Sequence, residues 1–493
     1  MRKRGSRWTL PILASTLLLA PATSWAKVGA GSRRDYLGMV KAYADALIER
    51  GRDTSGDQHT PLFAAALDRK TMALGAFKGI SGIRQHDRCL KGANPMHDQN
   101  LYQVLYALAK ITGKKKYAAE ADKALAFFFK HCRSPATGLM AWGEHMGWDF
   151  HAENAHGDTH EFFRPWVLWD RCYELAPAGV LRFARGLWDH QIANHKTGEF
   201  SRHARWSRHG PGGDNEYPRH GGFYIATWAK AYRETQDAVY AEAVETLVEM
   251  YERLSSDKTG AIPCSSRASR ARIMWPESNL SLAIDLTDAA PAFPPTLRKK
   301  MLERAAKTDR VYLSLRHNFS PKGIGFVSGA DIHALKARTS GSWTHTKSWV
   351  TSYGKYTDAQ VANLCRLRHR QLDEGPTKTR YRQLILASAN RYLKTAPDPG
   401  RTIFPGSMGD VILHLLSAHE LTGEKAYLAR AHVFARMAVG MFLPDDSPLP
   451  KASTKHNHYE AITRSDTLIM ALLRLWLVEN KPRLDVDLIY TDR

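Results

Sequence analysis

Two imidazoles and one carboxylate in the first half of the chain could together bind a divalent metal ion. They are offered by three short segments, at residues 142–145, 159–162 and 201–203, that are well separated along the sequence. This ligand set suits first-row divalent ions and leaves coordination positions open for a substrate. Arg202 directly precedes the last histidine, so a cation would stand beside such an ion.

The stretch over residues 147–160 offers several candidate ligands. Its acids and histidines are Asp149, His151, Glu153, His156, Asp158 and His160. A histidine taken singly is more often hydrogen-bonded or solvated than bound to a metal. Composition therefore indicates a metal site in this part of the chain without choosing its ligands.

The elements that must hold these residues are helices in repeated pairs. Apolar residues recur at helical spacing over residues 105–129, with a turn at Gly113 and Tyr117 soon after it. Similar pairs return over residues 223–254 and 411–442. A glycine just past a helix end adopts the left-handed conformation of a C-cap, and the tyrosine can pack the second helix against the first.

Further apolar stretches at helical spacing fill most of the remaining chain and are predicted to be helices. They cover residues 36–50, 162–175, 180–191, 297–306, 358–372, 381–393 and 467–478. Strand patterns are short, as at residues 138–142 and 323–327, and indicate hairpins in loops. Helical hairpins cannot bury their apolar faces alone, so we expect an all-α fold in which they close into an (α/α) toroid. An open helical solenoid is the alternative architecture.

The N-terminus has the pattern of a secretory signal. Basic residues precede an apolar core over residues 10–20, and small side chains at Ser24 and Ala26 fit a signal-peptidase site. We expect residues 1–26 to be a signal peptide and residues 27–493 to be one exported catalytic domain, periplasmic or secreted. No later stretch is long and apolar enough for a membrane span, and no long linker divides the chain. We expect a monomer.

The charge of the chain favours an anionic partner. The formal net charge is +21, and it falls to +17 without the four basic residues of the signal segment. In an exported protein an acidic polysaccharide or oligosaccharide is a more fitting partner than nucleic acid. A basic surface alone specifies no site.

Other chemistries leave no signature in the sequence. It contains no G-x-S-x-G elbow, no phosphate-binding G-x-x-x-x-G-K-[ST] loop and no G-x-G-x-x-G fingerprint. The cysteines are odd in number and widely spaced, and they are Cys89, Cys132, Cys172, Cys264 and Cys365. We expect buried free thiols rather than a disulfide framework or a zinc site.

Three short motifs stand in a fixed order around the candidate ligands. They are Trp-Gly-x-His at residues 142–145, His-Glu-Phe at residues 160–162 and Phe-Ser-Arg-His at residues 200–203. Their order and spacing resemble the active-site signature of polysaccharide lyase family two, the pectate and exopolygalacturonate lyases. The helical hairpins on both sides fit the (α/α) barrel of that family, so the likeness covers most of residues 36–478.

The resemblance implies a ligand set and a reaction. His145, Glu161 and His203 would hold a transition metal, manganese first, with cobalt, nickel or zinc as alternatives. Arg202 would be the Brønsted base that removes the C5 proton of a galacturonate residue during β-elimination of an acidic polysaccharide, polygalacturonate above all. The ion would offset the charge that develops on the substrate. Because a guanidinium is normally protonated, a clamp on the substrate carboxylate is the alternative role for Arg202.

Four further residues could hold the sugar chain. Arg219, close to a glycine pair, is the best candidate for a second arginine on a uronate carboxylate. Trp142 and Tyr353 could stack on pyranose faces, although a place in the core is the commoner role for an aromatic residue. Arg464, at the head of the last helix, is either a cation in the cleft or an ordinary charge at a helix start.

Two other functions fit parts of the pattern. An (α/α) toroid glycoside hydrolase acting on acidic oligosaccharides would need two carboxylates at a hydrolytic separation. The candidates for that pair are Asp149, Glu153, Asp158 and Glu161. A non-catalytic polyanion-binding protein would use the basic surface alone, bind more weakly in salt and turn nothing over.

Overall fold

Helices make up most of the computed structural model, which describes residues 35–341 and 343–493. In chain order they are α1 (Tyr36–Arg50), α2 (Pro95–Thr112), α3 (Lys116–His131), α4 (Trp169–Leu175), α5 (Pro177–Gly186), α6 (Pro218–Thr235), α7 (Ala238–Leu254), α8 (Pro276–Ala289), α9 (Pro295–Ser314), α10 (Asp358–Gln371), α11 (Pro376–Lys394), α12 (Pro405–Thr422), α13 (Lys425–Phe442) and α14 (Ser465–Asn480). The predicted signal peptide, residues 1–26, lies outside the described residues.

The helices form two concentric rows. From α6 to α14 the even-numbered helices pack side by side in chain order, and α14 then packs against α2, which closes the inner row into a ring. The odd-numbered helices lie outside, where α3, α7, α9, α11 and α13 each contact the even-numbered helix that precedes them. The predicted all-α (α/α) toroid is confirmed, because an open solenoid would not bring α14 back to α2.

Burial explains why some helices are easier to predict than others. On the outer helix α7 the buried residues form one stripe that includes Tyr240, Val244, Leu247 and Tyr251. On the inner helix α8 nearly every residue is buried, including polar ones. Such a helix has no polar face, so periodicity does not reveal it, and α8 was not predicted from the sequence.

The predicted helix over residues 162–175 is wrong in its first half, because α4 begins only at Trp169. Pro165 has no N–H to donate to a helix and disfavours helical geometry in the residue before it. The segment instead runs extended along α2, where Gln99 Nε2 donates to the carbonyl of Pro165 (2.8 Å) and the N–H of Val167 donates to Gln99 Oε1 (3.4 Å). This extended segment borders α2 in the part of the ring that precedes α6.

Short strands join the loops between helices. They are β1 (Ala66–Asp68), β2 (Gly92–Ala93), β3 (Gly147–Asp149), β4 (Asn154–His156), β5 (Thr159–His160), β6 (Ile192–Asn194), β7 (Glu199–Phe200), β8 (Ala204–Arg205), β9 (Ile273–Met274), β10 (Ala330–Asp331) and β11 (His458–Glu460). The pairs are β1 with β11, β5 with β8, β6 with β7 and β9 with β10, and β3 lies between β2 and β4. The predicted hairpins at 138–142 and 323–327 form isolated bridges rather than strands.

The structure bears on three further predictions from the sequence. All five cysteines are free and buried. Among the described residues, none of the helices combines the length and the apolar character needed to cross a membrane. Residues 36–493 cluster as one contact unit, and the prediction of a single catalytic domain over residues 27–493 stays a prediction.

Candidate active site

Glu161 and His203 are brought together by a ladder of two residues in each strand. β5 pairs with β8 in antiparallel register, with His160 opposite Ala204. Glu161 follows His160 and His203 precedes Ala204, so the two side chains stand one step beyond the ladder. His203 Nε2 lies 3.3 Å from Glu161 Oε2.

Gly143 allows the third residue to approach. Its φ is +124°, and a Cβ at this position would lie 2.0 Å from the carbonyl oxygen of Glu161. Only glycine satisfies both conditions. Asn94 holds the same turn, because its Nδ2 donates to the carbonyl of Gly143 at 2.8 Å. His145, two residues further on, therefore places Nε2 at 3.1 Å from Glu161 Oε2.

The three side chains fit a metal ion. The Nε2 atoms of His145 and His203 are 3.1 Å apart, and both face Glu161 Oε2. Ligand atoms about 2.1 Å from a shared ion and at right angles to one another lie about 3.0 Å apart, which matches these separations. Within the part of the chain that the structure describes, this is the one group of three such residues whose ligand atoms converge. The structure thus brings together the three ligands that the resemblance implies.

Asp87, a residue absent from the sequence predictions, orients the first ligand. His145 Nδ1 donates to Asp87 Oδ1 at 2.9 Å, and Arg84 Nε donates to Asp87 Oδ2 at 2.6 Å. A carboxylate on the far nitrogen fixes the tautomer and would direct Nε2 toward a bound ion. Burial lowers the pKa of His145, but hydrogen bonds with Asp87 and Glu161 outweigh it and raise this pKa to about 9. Binding of a metal ion at His145 would therefore release a proton.

Glu161 is held from two sides. Its Oε1 accepts hydrogen bonds from Arg202 Nη1 and from His220 Nε2, the latter at 2.8 Å. Burial would raise the pKa of Glu161, but Arg202 and the histidine hydrogen bonds hold it well below the ordinary value. Burial also lowers the pKa of His220 to about 3, so this neutral imidazole acts as a donor to an ionised carboxylate. Oε2 is left to face the imidazoles of His145 and His203.

Arg202 contacts Glu161 and also lines a neighbouring cleft. Its Nη1 contacts Glu161 and lies 3.5 Å from Glu144 Oε2, and its guanidinium packs 5.1 Å from the centre of the Tyr217 ring. Burial lowers the pKa of Arg202, but the two carboxylates outweigh burial and raise it. In this structure Arg202 is therefore a charged guanidinium.

Gln191 links the two segments that carry Glu161 and His203 through hydrogen bonds to His160 and Ser201. His160 Nδ1 donates to Gln191 Oε1 at 2.9 Å, and Gln191 Nε2 donates to the carbonyl of Ser201 at 2.6 Å. Gln191 ends a π-helical turn, Leu187–Gln191, that follows α5, and such turns are frequent at functional sites. Sequence periodicity predicted a regular helix across residues 180–191 and gave no sign of this role. His160 is not among the three described residues whose possible ligand atoms converge.

The remaining acids of the crowded loop stabilise turns. Asp149 Oδ1 accepts two backbone N–H groups from the residues that follow it. Glu153 Oε1 accepts two from the loop near Asp57, and Asp158 Oδ1 accepts one from Ser207. None of the three acids lies among the described residues that line the cleft beside Arg202. Three of the four carboxylates open to the hydrolase alternative are therefore committed to backbone contacts.

A cleft of about 340 Å³ opens beside Arg202, and cations outnumber acids among the described residues that line it. They are Arg164, Arg202, Arg219, Arg270, Lys355, Arg464 and Arg493. The starts of α6, α8, α10, α12 and α14 also contribute lining residues. The N-terminal ends of helices carry partial positive charge, so both features favour an anionic ligand.

Some of these cations are already compensated. Arg464 Nη1 lies 2.8 Å from Asp410 Oδ2 and 3.2 Å from Asp492 Oδ2. Arg464 lines the cleft and also directly precedes the first residue of α14, so it is both a cation in the cleft and a charge at a helix start. Its charge is already paired with these two acids of the protein. By contrast, Arg219, Arg270 and Lys355 have no carboxylate within 4.0 Å in residues 35–341 and 343–493. These three cations are available to an acidic ligand.

The two aromatic residues predicted to stack on sugars lie in different environments. Tyr353 lines the cleft. Trp142 is 0% exposed and packs among the rings of Phe128, Phe162 and Trp166, so it has no face to offer a sugar. Its prediction as a substrate-binding residue is corrected: Trp142 is a core residue.

An aromatic wall in the cleft was not predicted from the sequence. Tyr217, Trp275, Trp343 and Tyr356 form a continuous row with ring centres 4.9, 5.7 and 5.7 Å apart. Arg270 lies 6.0 Å from the Trp275 ring and Lys355 Nζ lies 4.7 Å from the Trp343 ring. A signal for part of the wall was present, because Tyr217 and Trp275 each stand directly before the proline that starts an inner helix.

A family model agrees with the motif positions. Residues 60–221 match the model described as periplasmic pectate lyase. This range contains all three metal-binding candidates together with Arg202 and Arg219, and it covers about a third of the chain.

Solved structures of similar fold come from other carbohydrate enzymes. The cellobiose 2-epimerase of Bacillus thermoamylovorans B4167 is 10% identical with a TM-score of 0.49, over 90% of this chain and 99% of that one. A D-mannose isomerase is 10% identical with a TM-score of 0.49, over 91% and 98%. The α-1,6-mannanase GH76A of Salegentibacter sp. HEL1_6 is 12% identical with a TM-score of 0.43, over 90% and 100%. At these values we infer neither activity nor substrate from the three likenesses. The match that bears on this chain is therefore with the periplasmic pectate lyase family, over residues 60–221.

Proposed function

We propose that this protein is a metal-dependent lyase that cleaves a uronic acid polysaccharide, polygalacturonate above all, by β-elimination. The observation that carries the proposal is the convergence of His145, Glu161 and His203 beside Arg202, at one end of a cation-lined cleft. The match to the periplasmic pectate lyase family over residues 60–221 supports the same reaction.

The lining of the cleft supports an acidic substrate. Arg219, Arg270 and Lys355 can pair with carboxylates along a uronate chain, because none of them has an acidic partner in the described residues. Tyr353 and the aromatic wall offer apolar faces for pyranose rings between these charges. A neutral polysaccharide would leave the three cations desolvated without partners, which costs binding energy.

A bound divalent ion, manganese in our proposal, would act as a Lewis acid on the uronate carboxylate and so acidify the adjacent C5 proton. The protein's own residues prepare that site. Asp87 fixes the tautomer of His145, and His220 keeps the carboxylate of Glu161 oriented.

Arg202 is the residue that we assign to the reacting sugar. As the base it would accept the C5 proton, which first requires a neutral guanidine. Glu161 and Glu144 oppose that form by raising the pKa of Arg202. A cation bound to Glu161 would offset that effect, since it would neutralise one of the two carboxylates. The alternative role is a clamp that binds the uronate carboxylate without moving a proton.

The proposal is tested by following unsaturated uronate ends by absorbance. Purified protein is incubated with polygalacturonate, alginate and a sulfated glycan, with chelator, and with manganese restored after chelation. We expect a rise on polygalacturonate that chelator abolishes, manganese restores and Arg202→Ala eliminates. A rise on another uronate alone would keep the reaction and replace the substrate.

The rival functions give different results in the same assay. New reducing ends without a double bond, formed equally in chelator, would establish a hydrolase. Binding that weakens with salt and yields no product would establish a polyanion-binding protein. Manganese as the metal, export to the periplasm or beyond, and a monomeric state remain parts of the proposal.

A further inference from the structure

Glu277 is a buried acid in the cleft that the proposed reaction does not use. It is the second residue of α8, is 3% exposed and lines the cleft. In the described structure its Oε2 has no hydrogen-bond partner, and no cation lies within ion-pair distance of it. A buried polar atom left without a partner is costly, so one facing a cleft indicates a group supplied by a ligand.

The titratable groups around Glu277 come from every side. α6 contributes Arg219, α9 contributes Tyr312, and the loops contribute Cys264 and Tyr356. Burial raises the pKa of Glu277 to about 8, and Arg219 opposes this to a smaller extent. At neutral pH the carboxyl group is therefore protonated and offers an O–H donor.

Arg219 is positioned beside this acid without being neutralised by it. Its backbone N–H donates to Ser278 Oγ at 3.0 Å, and its Nη1 donates to the hydroxyl of Tyr356 at 2.8 Å. Its guanidinium also packs 5.2 Å from the centre of the Phe163 ring. The side chain is thus fixed in the cleft with its positive charge available.

We propose that Glu277 donates a hydrogen bond to the same sugar carboxylate that Arg219 binds, so that the two side chains form the carboxylate-recognition site of the cleft. This inference rests on the proposed function only in that the ligand is an acidic sugar. The pair selects a charged sugar over its methyl ester, because an ester offers weaker acceptors to the acid and no charge to the guanidinium.

The pair also sets the pH range of binding. As the pH rises through about 8, Glu277 loses its proton, ceases to donate and becomes an anion that both neutralises Arg219 and repels the ligand. Affinity for the acidic sugar is therefore present below this pH and is lost above it. Replacing Glu277 by a side chain that donates a hydrogen bond but does not ionise should remove this pH dependence of the affinity.

The test is calorimetric titration of metal-free protein with trigalacturonate and with its methyl ester, at pH 7 and pH 9.5. Wild-type protein should bind trigalacturonate at least about tenfold more tightly than the ester at pH 7, and should lose that preference at pH 9.5. Glu277→Ala should weaken binding at pH 7 by about tenfold. Glu277→Gln should bind within about threefold of wild type at pH 7 and change little with pH, since an amide also donates.

Asp358→Asn is the matched control, because Asp358 is also a buried acid at the start of an inner helix, the neighbouring α10. Unlike Glu277, its carboxylate accepts hydrogen bonds from Thr346 and Ser348. The control should leave trigalacturonate binding and its pH dependence unchanged, and thermal unfolding verifies that each variant is folded. The proposal is overturned if wild-type protein does not bind trigalacturonate, if Glu277→Ala binds as wild type does, or if Glu277→Gln still weakens at pH 9.5.

The same data separate this inference from the lyase proposal. The titrations use metal-free protein and need no turnover, so Glu277-dependent binding without unsaturated product would keep the carboxylate site and refute the lyase. Lyase activity whose KM for polygalacturonate is unchanged by Glu277→Ala would keep the lyase and refute the carboxylate-recognition site.

Discussion

A single methyl group at position 143 should disable the proposed metal site while most of the fold remains. Gly143 packs directly against the backbone of Glu161, and the Cβ of an alanine would lie 2.0 Å from the Glu161 carbonyl oxygen. Because Cβ atoms essentially never approach another heavy atom closer than 3.0 Å, the two segments must separate by at least 1.0 Å. The segment with His145 would then move away from the one that carries Glu161.

The expected loss follows from the tolerance of metal coordination. Metal–ligand distances hold within about 0.2 Å, so a shift several times larger removes one of the three protein ligands. We expect Gly143→Ala to weaken manganese binding by at least about tenfold, or about 1.4 kcal/mol. The positive φ of Gly143 adds about 1–3 kcal/mol of backbone strain, which lowers the melting temperature as well.

The assay is calorimetric titration of metal-free protein with manganese, alongside thermal unfolding. Gly423→Ala is the matched control, because Gly423 has a φ of +74° and a Cβ added there would meet no atom within 4 Å. The control should lose stability through backbone strain and bind manganese as wild type does. A folded Gly143→Ala protein with wild-type manganese affinity would refute the placement of the ligands.

Two further changes test the chemistry and the buried histidines. Arg202→Lys should keep measurable turnover and shift the acidic limb of the pH profile of kcat toward neutral pH, because the pKa of a lysine is about two units lower than that of an arginine. An unchanged pH profile with a raised KM would instead establish that Arg202 binds the substrate carboxylate without moving a proton. His414 is fully buried without a hydrogen-bond partner in the described structure, and burial lowers its pKa to about 3. In the unfolded chain His414 binds a proton near pH 6.5, whereas in the folded chain it does not. His414 therefore lowers the free energy of unfolding as the pH falls below 6.5, by about 3 kcal/mol at pH 4.5. His414→Phe should therefore lower the midpoint of acid unfolding, and an unchanged midpoint would contradict this assignment.

The outer helices were accessible from the sequence for physical reasons, whereas the candidate metal ligands came from a family resemblance. An outer helix such as α7 has one apolar stripe, and that period appears directly in the sequence. The candidate ligands came from the resemblance of three motifs to the signature of polysaccharide lyase family two, and the structure brings their side chains within hydrogen-bonding distance of one another. Composition alone had left the neighbouring acids and histidines equally open as ligands.

The inner features were hidden because long-range packing decides them. α8 is buried on all sides, so it carries Ser278, Asn279 and Asp285 where a periodic pattern would require apolar residues. The segment before α4 has apolar spacing that fits a helix, yet contacts with Gln99 hold it extended. Strands as short as β5 and β8 have no recognisable pattern, although their pairing places Glu161 beside His203.

The supporting residues of the site were missed for a related reason. Asp87, Gln191 and His220 act through hydrogen bonds to residues far away in sequence, and nothing near them in the chain marks that role. Trp142 was placed on the substrate because its motif adjoins a ligand, whereas its ring points into the aromatic core.

The central claim is that the ion held by His145, Glu161 and His203 is required for β-elimination. The most direct measurement adds manganese stepwise to metal-free protein and follows bound metal and unsaturated product from polygalacturonate in the same samples. We predict that the rate rises in proportion to occupancy of one site per chain, and that Glu161→Gln loses both. Full lyase activity in the metal-free protein, or activity in Glu161→Gln without bound metal, would contradict the account.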